Sequence, residues 1–142
     1  LIVSGPTANN NGALDVDDTF LVTGGVVMAI GSSGMAVAPA TTSSQASIKG
    51  NFASTQAAGT IVHVVDVSGK VLASFKSPKS FASIVFSSAA VIKGQAYRVY
   101  VGGTVSGSAV GGYYSEGSIA DATLVGSLTA GSYTNSGPGG RP

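Results

Sequence analysis

The sequence contains no cysteine and no tryptophan, and it has a single histidine. The absence of Cys excludes disulfides, thiol catalysis and thiolate metal sites. Charged residues make up only 9% of the chain, and the net charge of +1 provides no electrostatic footprint for nucleic acid or for an anionic lipid surface. No apolar run approaches the roughly 18 residues that a spanning helix needs. We therefore expect neither a nucleic-acid partner nor a membrane span.

The few charges are unevenly distributed along the chain. Residues 1–48 have a net charge of −3, whereas residues 49–110 carry Asp66 as their single acidic residue and have a net charge of +5. An acidic first third followed by a basic middle indicates two structural units with different surfaces.

Glycine is abundant, with 21 residues in 142, and apolar residues occur in short β-branched runs separated by Gly, Ser, Asn and Thr. No stretch shows a helical period. Short runs of this kind, bounded by turn formers, are typical of many short strands. The sequence therefore predicts an all-β fold.

A weak repeat organises the first third of the chain. Residues 1–5 recur as residues 27–31, at an offset of 26, and each unit continues into two further short apolar runs, 13–16 and 19–23 in the first, 35–37 and 46–49 in the second. Three short strands per coil are typical of a right-handed parallel β-helix, in which coils must stack to bury their inner faces. Because only two coils are visible and the chain opens on a strand, we expect a mature product or a fragment, with the missing neighbour supplied by preceding coils or by another copy.

The pattern changes to antiparallel near residue 60. Residues 60–67 lead through Ser68 and Gly69 into 70–75, as in a tight hairpin, and 81–86 and 96–101 are further predicted strands. Beyond residue 103 the chain is Gly-rich, with one more predicted strand at 122–128. The expected organisation is β-helix coils at 1–59, an antiparallel β cap at 60–135 and a Gly/Pro-rich tail at 136–142.

Ordered segments along the chain resemble a family of secreted carbohydrate-binding domain proteins. The matching segments are residues 11–17, 20–25, 31–36, 54–60, 86–88, 93–94 and 97–103. The resemblance runs from about residue 1 to 135 and is to the C-terminal part of such a protein. It implies a right-handed parallel β-helix related in fold to calcium-dependent pectate lyases, and binding of plant-type polysaccharide and calcium without established catalysis.

Three aspartates form the best candidate metal site. Asp15 and Asp17 share one face of a strand, because alternate residues point the same way, and Asp18 follows them. Calcium takes six to eight oxygen ligands, and Asn10 and Asn11 are suitable additional ones. Alternatively, the aspartates are solvated turn residues, and Asn9, Asn10 and Asn11 form an amide ladder between stacked coils.

Aromatic side chains provide the candidate sugar-binding residues. Tyr113 and Tyr114, which follow Gly111 and Gly112 and precede Ser115, are the pair expected to be exposed and to stack on sugar rings, with core or interface packing as the alternative. His63 lies in an alternating strand and is expected to be packed and hydrogen-bonded. No Gly-x-Ser-x-Gly elbow between a strand and a helix is present, so we do not expect an enzyme.

The sequence thus favours a non-catalytic, extracellular or cell-surface polysaccharide-binding module with calcium as cofactor. The rival interpretation is a structural protein: a self-assembling subunit of an extracellular filament or surface layer, whose copies join through the open β-helix end. Low charge and a composition rich in Gly, Ser, Thr and Ala favour the extracellular location.

Overall fold

The computed structural model describes residues 1–8, 12–14, 19–33 and 37–133, and this part of the chain contains strands and no helix. The predicted all-β class is confirmed. None of these residues belongs to a helix that could cross a membrane. The strands are β1 (Ile2–Ser4), β2 (Val27–Gly31), β3 (Ser47–Gln56), β4 (Ile61–Val65), β5 (Val71–Lys76), β6 (Phe81–Ser87), β7 (Ala96–Val110) and β8 (Tyr113–Thr129).

Four of the strands form a mixed sheet, sheet A, in the order β1-β2-β6-β3. β1 runs parallel to β2, and Ile2 lies opposite Met28. This register equals the offset of 26 residues in the sequence repeat, so the repeat identified a true strand pair. β6 runs antiparallel to both β2 and β3.

Sheet A does not show the right-handed parallel β-helix expected for residues 1–59. A β-helix needs strands that all run in one direction, whereas β2 has the parallel β1 on one side and the antiparallel β6 on the other. β1 and β2 are the single parallel pair among the described residues. Residues 20–22 form no strand, and the expected strands at 13–16 and 35–37 lie partly outside the described residues.

The remaining strands close into a small antiparallel barrel in the order β4-β5-β8-β7. β7 and β8 form one long hairpin. The first half of β7 pairs with β4, and Val62 lies opposite Val101. The start of β8 then pairs with β5, with Ser74 opposite Tyr114. The antiparallel pattern predicted from residue 60 is confirmed, although β6 joins sheet A.

The predicted hairpin between β4 and β5 is also confirmed. Gly69 has a φ of 91°, which suits a residue without a β-carbon. The Asp66 carboxylate accepts hydrogen bonds from the amides of Ser68 and Lys70, both at 2.9 Å. The Ser68 hydroxyl and these amides hold the pKa of Asp66 below its ordinary value. The turn therefore depends on an ionised side chain.

The main core lies between sheet A and one face of the barrel. Sheet A contributes Met28, Ile48 and Phe86, which are fully buried, and the barrel contributes Val62 and Phe75. The opposite face of sheet A is covered by a smaller apolar cluster. Because both faces of sheet A are covered, β6 is buried along its whole length.

Candidate functional site

The predicted calcium ligands, Asp15, Asp17, Asp18, Asn10 and Asn11, lie outside the described residues. Within residues 1–8, 12–14, 19–33 and 37–133, no group of three or more His, Cys, Asp or Glu side chains is arranged to hold a metal ion. The calcium site therefore stays a prediction.

The two predicted sugar-binding tyrosines lie on opposite faces of β8. Tyr113 pairs with Phe75 and packs against the main core, and burial raises the pKa of its phenol. Tyr114 pairs with Ser74, so its side chain shares the other face. The structure does not bring the two rings together as one exposed platform.

Tyr114 belongs to a row of side chains that crosses the barrel. Directly paired residues share a face of an antiparallel sheet. Tyr114 is opposite Ser74, Ser74 is opposite His63, and His63 is opposite Tyr100. The row therefore places two half-buried tyrosines on either side of a fully enclosed Ser–His pair.

The Ser–His pair is fixed by two hydrogen bonds. The imidazole Nε2 of His63 lies 2.8 Å from the carbonyl oxygen of Gly102, and Nδ1 lies 2.7 Å from the hydroxyl of Ser74. A carbonyl can only accept, so Nε2 carries the proton, and the Ser74 hydroxyl donates to Nδ1. Burial lowers the pKa of His63, and the Gly102 hydrogen bond partly opposes this shift. The imidazole is therefore neutral near pH 7.

The surroundings of this pair exclude a substrate. His63 and Ser74 are at most 1% exposed. Glycines of β7 and β8 close over them: a β-carbon at Gly103 would lie 3.1 Å from Nε2, and one at Gly117 would lie 2.9 Å from Nδ1. A nucleophilic serine must reach its substrate, whereas here the backbone fills that space. The expected packed, hydrogen-bonded histidine is what the structure shows.

A polar cleft outside the barrel is a better candidate for a ligand-binding site than the enclosed Ser–His pair. We call it the hydroxyl cleft; its volume is about 260 Å³. It lies where residues 43–46 meet residues 88–93, and its lining residues are Thr23, Ser43, Ser44, Gln45, Ala46, Ser88, Ala89, Val91 and Lys93. Hydroxyl groups both donate and accept hydrogen bonds, so this lining matches a ligand that does the same.

The walls of the hydroxyl cleft are tied to sheet A. The amide of Gln45, a residue only 9% exposed, donates to Gly25 O and to Ser87 Oγ, both at 2.9 Å. Ser43 Oγ accepts from the amide of Val22 at 3.1 Å. These bonds hold the loop against the end of β6, so the cleft is formed before any ligand arrives.

Lys93 places a positive charge at the rim of the hydroxyl cleft. A β-carbon at Gly131 would lie 2.9 Å from Lys93 Cγ, so the lysine stem rests directly on the glycine backbone. The ammonium group lies 3.5 Å from Thr41 O, which is a weak contact. Packing of the Lys93 stem on Gly131 thus holds the ammonium group at the rim of the cleft, where it remains available to a ligand.

A larger cleft near the β7–β8 turn is less suited to a polar ligand. It has a volume of about 640 Å³ and is lined by Ala58, Gly59, Lys76, Ser77, Pro78, Gly111 and Gly112. The single hydroxyl in this lining, that of Ser77, already donates to Lys79 O. Few side chains remain there to recognise a ligand through hydrogen bonds.

Sequence reasoning missed the hydroxyl cleft because its residues come from separated segments. Thr41, Thr42, Ser43 and Ser44 form a visible polar run, but nothing local indicates that this run meets residues 88–93. Comparison of the chain with family models, with curated proteins and with solved structures finds no match.

Proposed function

We propose that this chain is a non-catalytic, extracellular polysaccharide-binding module that also binds calcium. The observation that carries the proposal is the hydroxyl cleft, with its hydroxyl groups and the directed charge of Lys93. Sugars present many hydroxyls that donate and accept hydrogen bonds, and a preformed polar cleft lowers the ordering cost of binding them. The resemblance to secreted carbohydrate-binding proteins supports the same class of ligand.

Two further points support the proposal. The enclosed His63–Ser74 pair has no room for a substrate, which favours binding without chemistry. The calcium part rests on the resemblance and on the spacing of Asp15 and Asp17, whose carboxylates would repel each other without a cation or hydrogen-bond donors between them.

A pull-down on insoluble polysaccharides, with and without a chelator, tests the proposal. We expect retention that falls when calcium is removed. Lys93→Met should weaken retention at least about threefold, as expected for loss of one charge-assisted contact. Lys70→Met removes the same charge from the exposed β4–β5 turn and should leave retention unchanged. Absence of retention both with and without the chelator would overturn the proposal. An equal loss of retention in Lys93→Met and Lys70→Met would show that the hydroxyl cleft is not the binding site.

A second candidate function is a structural subunit of an extracellular filament or surface layer. The observation that favours it is β1, which among the described residues has one strand partner, β2. Leu1 and Gly5 bond to β2, so the backbone groups of Ile2 and Ser4 point away from it. A strand from another copy could pair there and extend the sheet. Sedimentation at micromolar concentration separates the candidates, because a clean monomer would exclude this one.

A further inference from the structure

The distal half of the β7–β8 hairpin, residues 104–118, folds back over the barrel; we call it the distal arm. Gly102 and Gly103 allow the bend, with φ values of 97° and 72°, and the β7–β8 register shifts there. The arm rejoins the barrel through two pairs with β5, Ser74–Tyr114 and Phe75–Tyr113, and a hydrogen bond from Lys76 N to Gly112 O. Closure of the barrel between β5 and β8 therefore depends on only these two residue pairs and this hydrogen bond.

His63 lies beside the residues through which the distal arm closes the barrel. Its ring bonds Ser74 of β5 and Gly102 at the bend of β7, and the backbone of Gly117 in β8 packs against it. One side chain of β4 thus touches all the other strands of the barrel. Any change in the imidazole acts on the bend and on the arm together.

Protonation would place a positive charge in this enclosed site and would change the contact with Ser74, whereas the hydrogen bond to Gly102 favours the cation. A second ring proton on Nδ1 removes the acceptor that the Ser74 hydroxyl uses, so this hydroxyl must turn away or accept instead. The titratable side chains that share this face are Tyr100 and Arg98 of β7, Lys76 of β5 and Tyr114 of β8. Lys76 and Arg98 are exposed, and so is Glu116, the neighbour of Gly117. No charged side chain in the described part of the chain contributes to the pKa of His63. A cation at this position would therefore have no counter-charge among the described residues.

We propose that His63 is an acid-sensitive latch that holds the distal arm closed when neutral and releases it from β5 when protonated. The sign follows from the burial of the neutral ring. In the open arm the imidazole regains its ordinary pKa of 6.5, whereas closure lowers it. Closure is therefore fully favoured above pH 6.5 and weakens as the pH falls below that value. This latch does not depend on whether the chain binds polysaccharide.

Amide hydrogen exchange of the full chain tests the latch, with rates corrected for the intrinsic effect of pH. Between about pH 7.5 and pH 5, we expect protection of the distal arm to fall at least about threefold, because the open arm binds the extra proton more readily than the closed arm does. Protection of β2 and β6 should stay constant and serves as the internal control. In His63→Gln, which keeps a neutral amide donor and acceptor, the distal arm should lose this pH dependence. Unchanged wild-type protection, or the same fall in His63→Gln, would overturn the proposal.

A second measurement keeps the latch testable if that variant does not fold. His63 is the only histidine, so one imidazole resonance reports its titration directly in the wild-type protein. We expect a midpoint below 6.5, and we expect the loss of arm protection to begin near pH 6.5 and to end near that midpoint. A midpoint at or above 6.5 would show that closure does not disfavour the cation, and would overturn the proposal.

Discussion

Replacement of Gly117 by Ala tests the packing of the barrel most directly. A β-carbon at this position would collide with Ser74 Oγ and would lie 2.9 Å from Nδ1 and Cε1 of His63. Gly117 does not have a positive φ, so alanine is compatible with its backbone. The effect of the substitution is therefore steric, and it isolates the contact between β8 and the Ser–His pair.

The magnitude follows from how little the neighbours can move. Forcing an extra methyl group into a packed interior costs about 1–3 kcal/mol. The Ser74 hydroxyl cannot rotate away without leaving Nδ1 of His63 unpaired, which costs a further 1–3 kcal/mol or so. Alanine recovers about 0.5–1 kcal/mol over glycine in a strand. We expect a net loss of about 2–4 kcal/mol in the free energy of unfolding, or roughly 5–15 °C in melting temperature.

Urea and thermal denaturation measure this loss, and Gly126→Ala is the matched control. Gly126 lies in the same strand, and a β-carbon there would meet nothing within 4 Å. We expect that control to be neutral or stabilising by up to about 1 kcal/mol. Ser74→Ala combined with Gly117→Ala should destabilise less than the sum of the single changes, because the colliding hydroxyl is gone. Equal stability of the two glycine variants would refute the described packing of β8 over His63.

Other substitutions test other parts of the fold. Tyr97→Phe removes a buried hydroxyl that accepts the amide of Ile92 at 2.7 Å, so the free energy of unfolding should fall by about 1–3 kcal/mol, and an unchanged urea midpoint would contradict this. Asp66 has a lowered pKa, so its contribution is present above the ordinary value of 3.8 and is lost on acidification below it. Wild type should therefore lose more stability than Asp66→Asn when both are unfolded at decreasing pH. Parallel plots of stability against pH would contradict the contribution of the ionised Asp66 to the β4–β5 turn. Phe81→Ala should lower the free energy of unfolding by about 3–5 kcal/mol, and Phe52→Ala by less because its ring is only half-buried, whereas equal losses in urea would contradict their packing.

Local sequence patterns predicted strand pairs well and sheet neighbours poorly. The repeat at residues 1–5 and 27–31 reproduces the β1–β2 register because parallel pairing brings similar residues side by side. The other neighbour of β2 is β6, which arrives more than 50 residues later and runs the opposite way. No periodicity within residues 1–59 contains that partner, so the β-helix was a reasonable but incomplete interpretation.

Glycine content also hid the length of β7 and β8. The region after residue 103 was expected to hold one strand, yet the hairpin continues through it to Thr129. Gly102, Gly103 and Gly107 have positive φ at the points where the register shifts, so these glycines bend the strands without ending them.

Local sequence patterns were also insufficient to predict which side chains meet at the candidate sites. His63 was correctly predicted to be packed and hydrogen-bonded, but its partner Ser74 was not identified. The available signal was a serine between Ala73 and Phe75 in β5, at a position that alternation places on the face away from the core. Spacing alone cannot pair two side chains that are 11 residues apart on different strands.

The central position of β6 in sheet A has a consequence for synthesis on the ribosome. β2 and β3 do not pair with each other; each pairs with β6, which is complete only at Ser87. Until that residue has emerged, the nascent chain presents two strands whose edges lack their native partner. Contacts of such long sequence separation form slowly, and unpaired edges invite association with other chains. The interval before β6 arrives is therefore when a newly made copy is most exposed to mispairing.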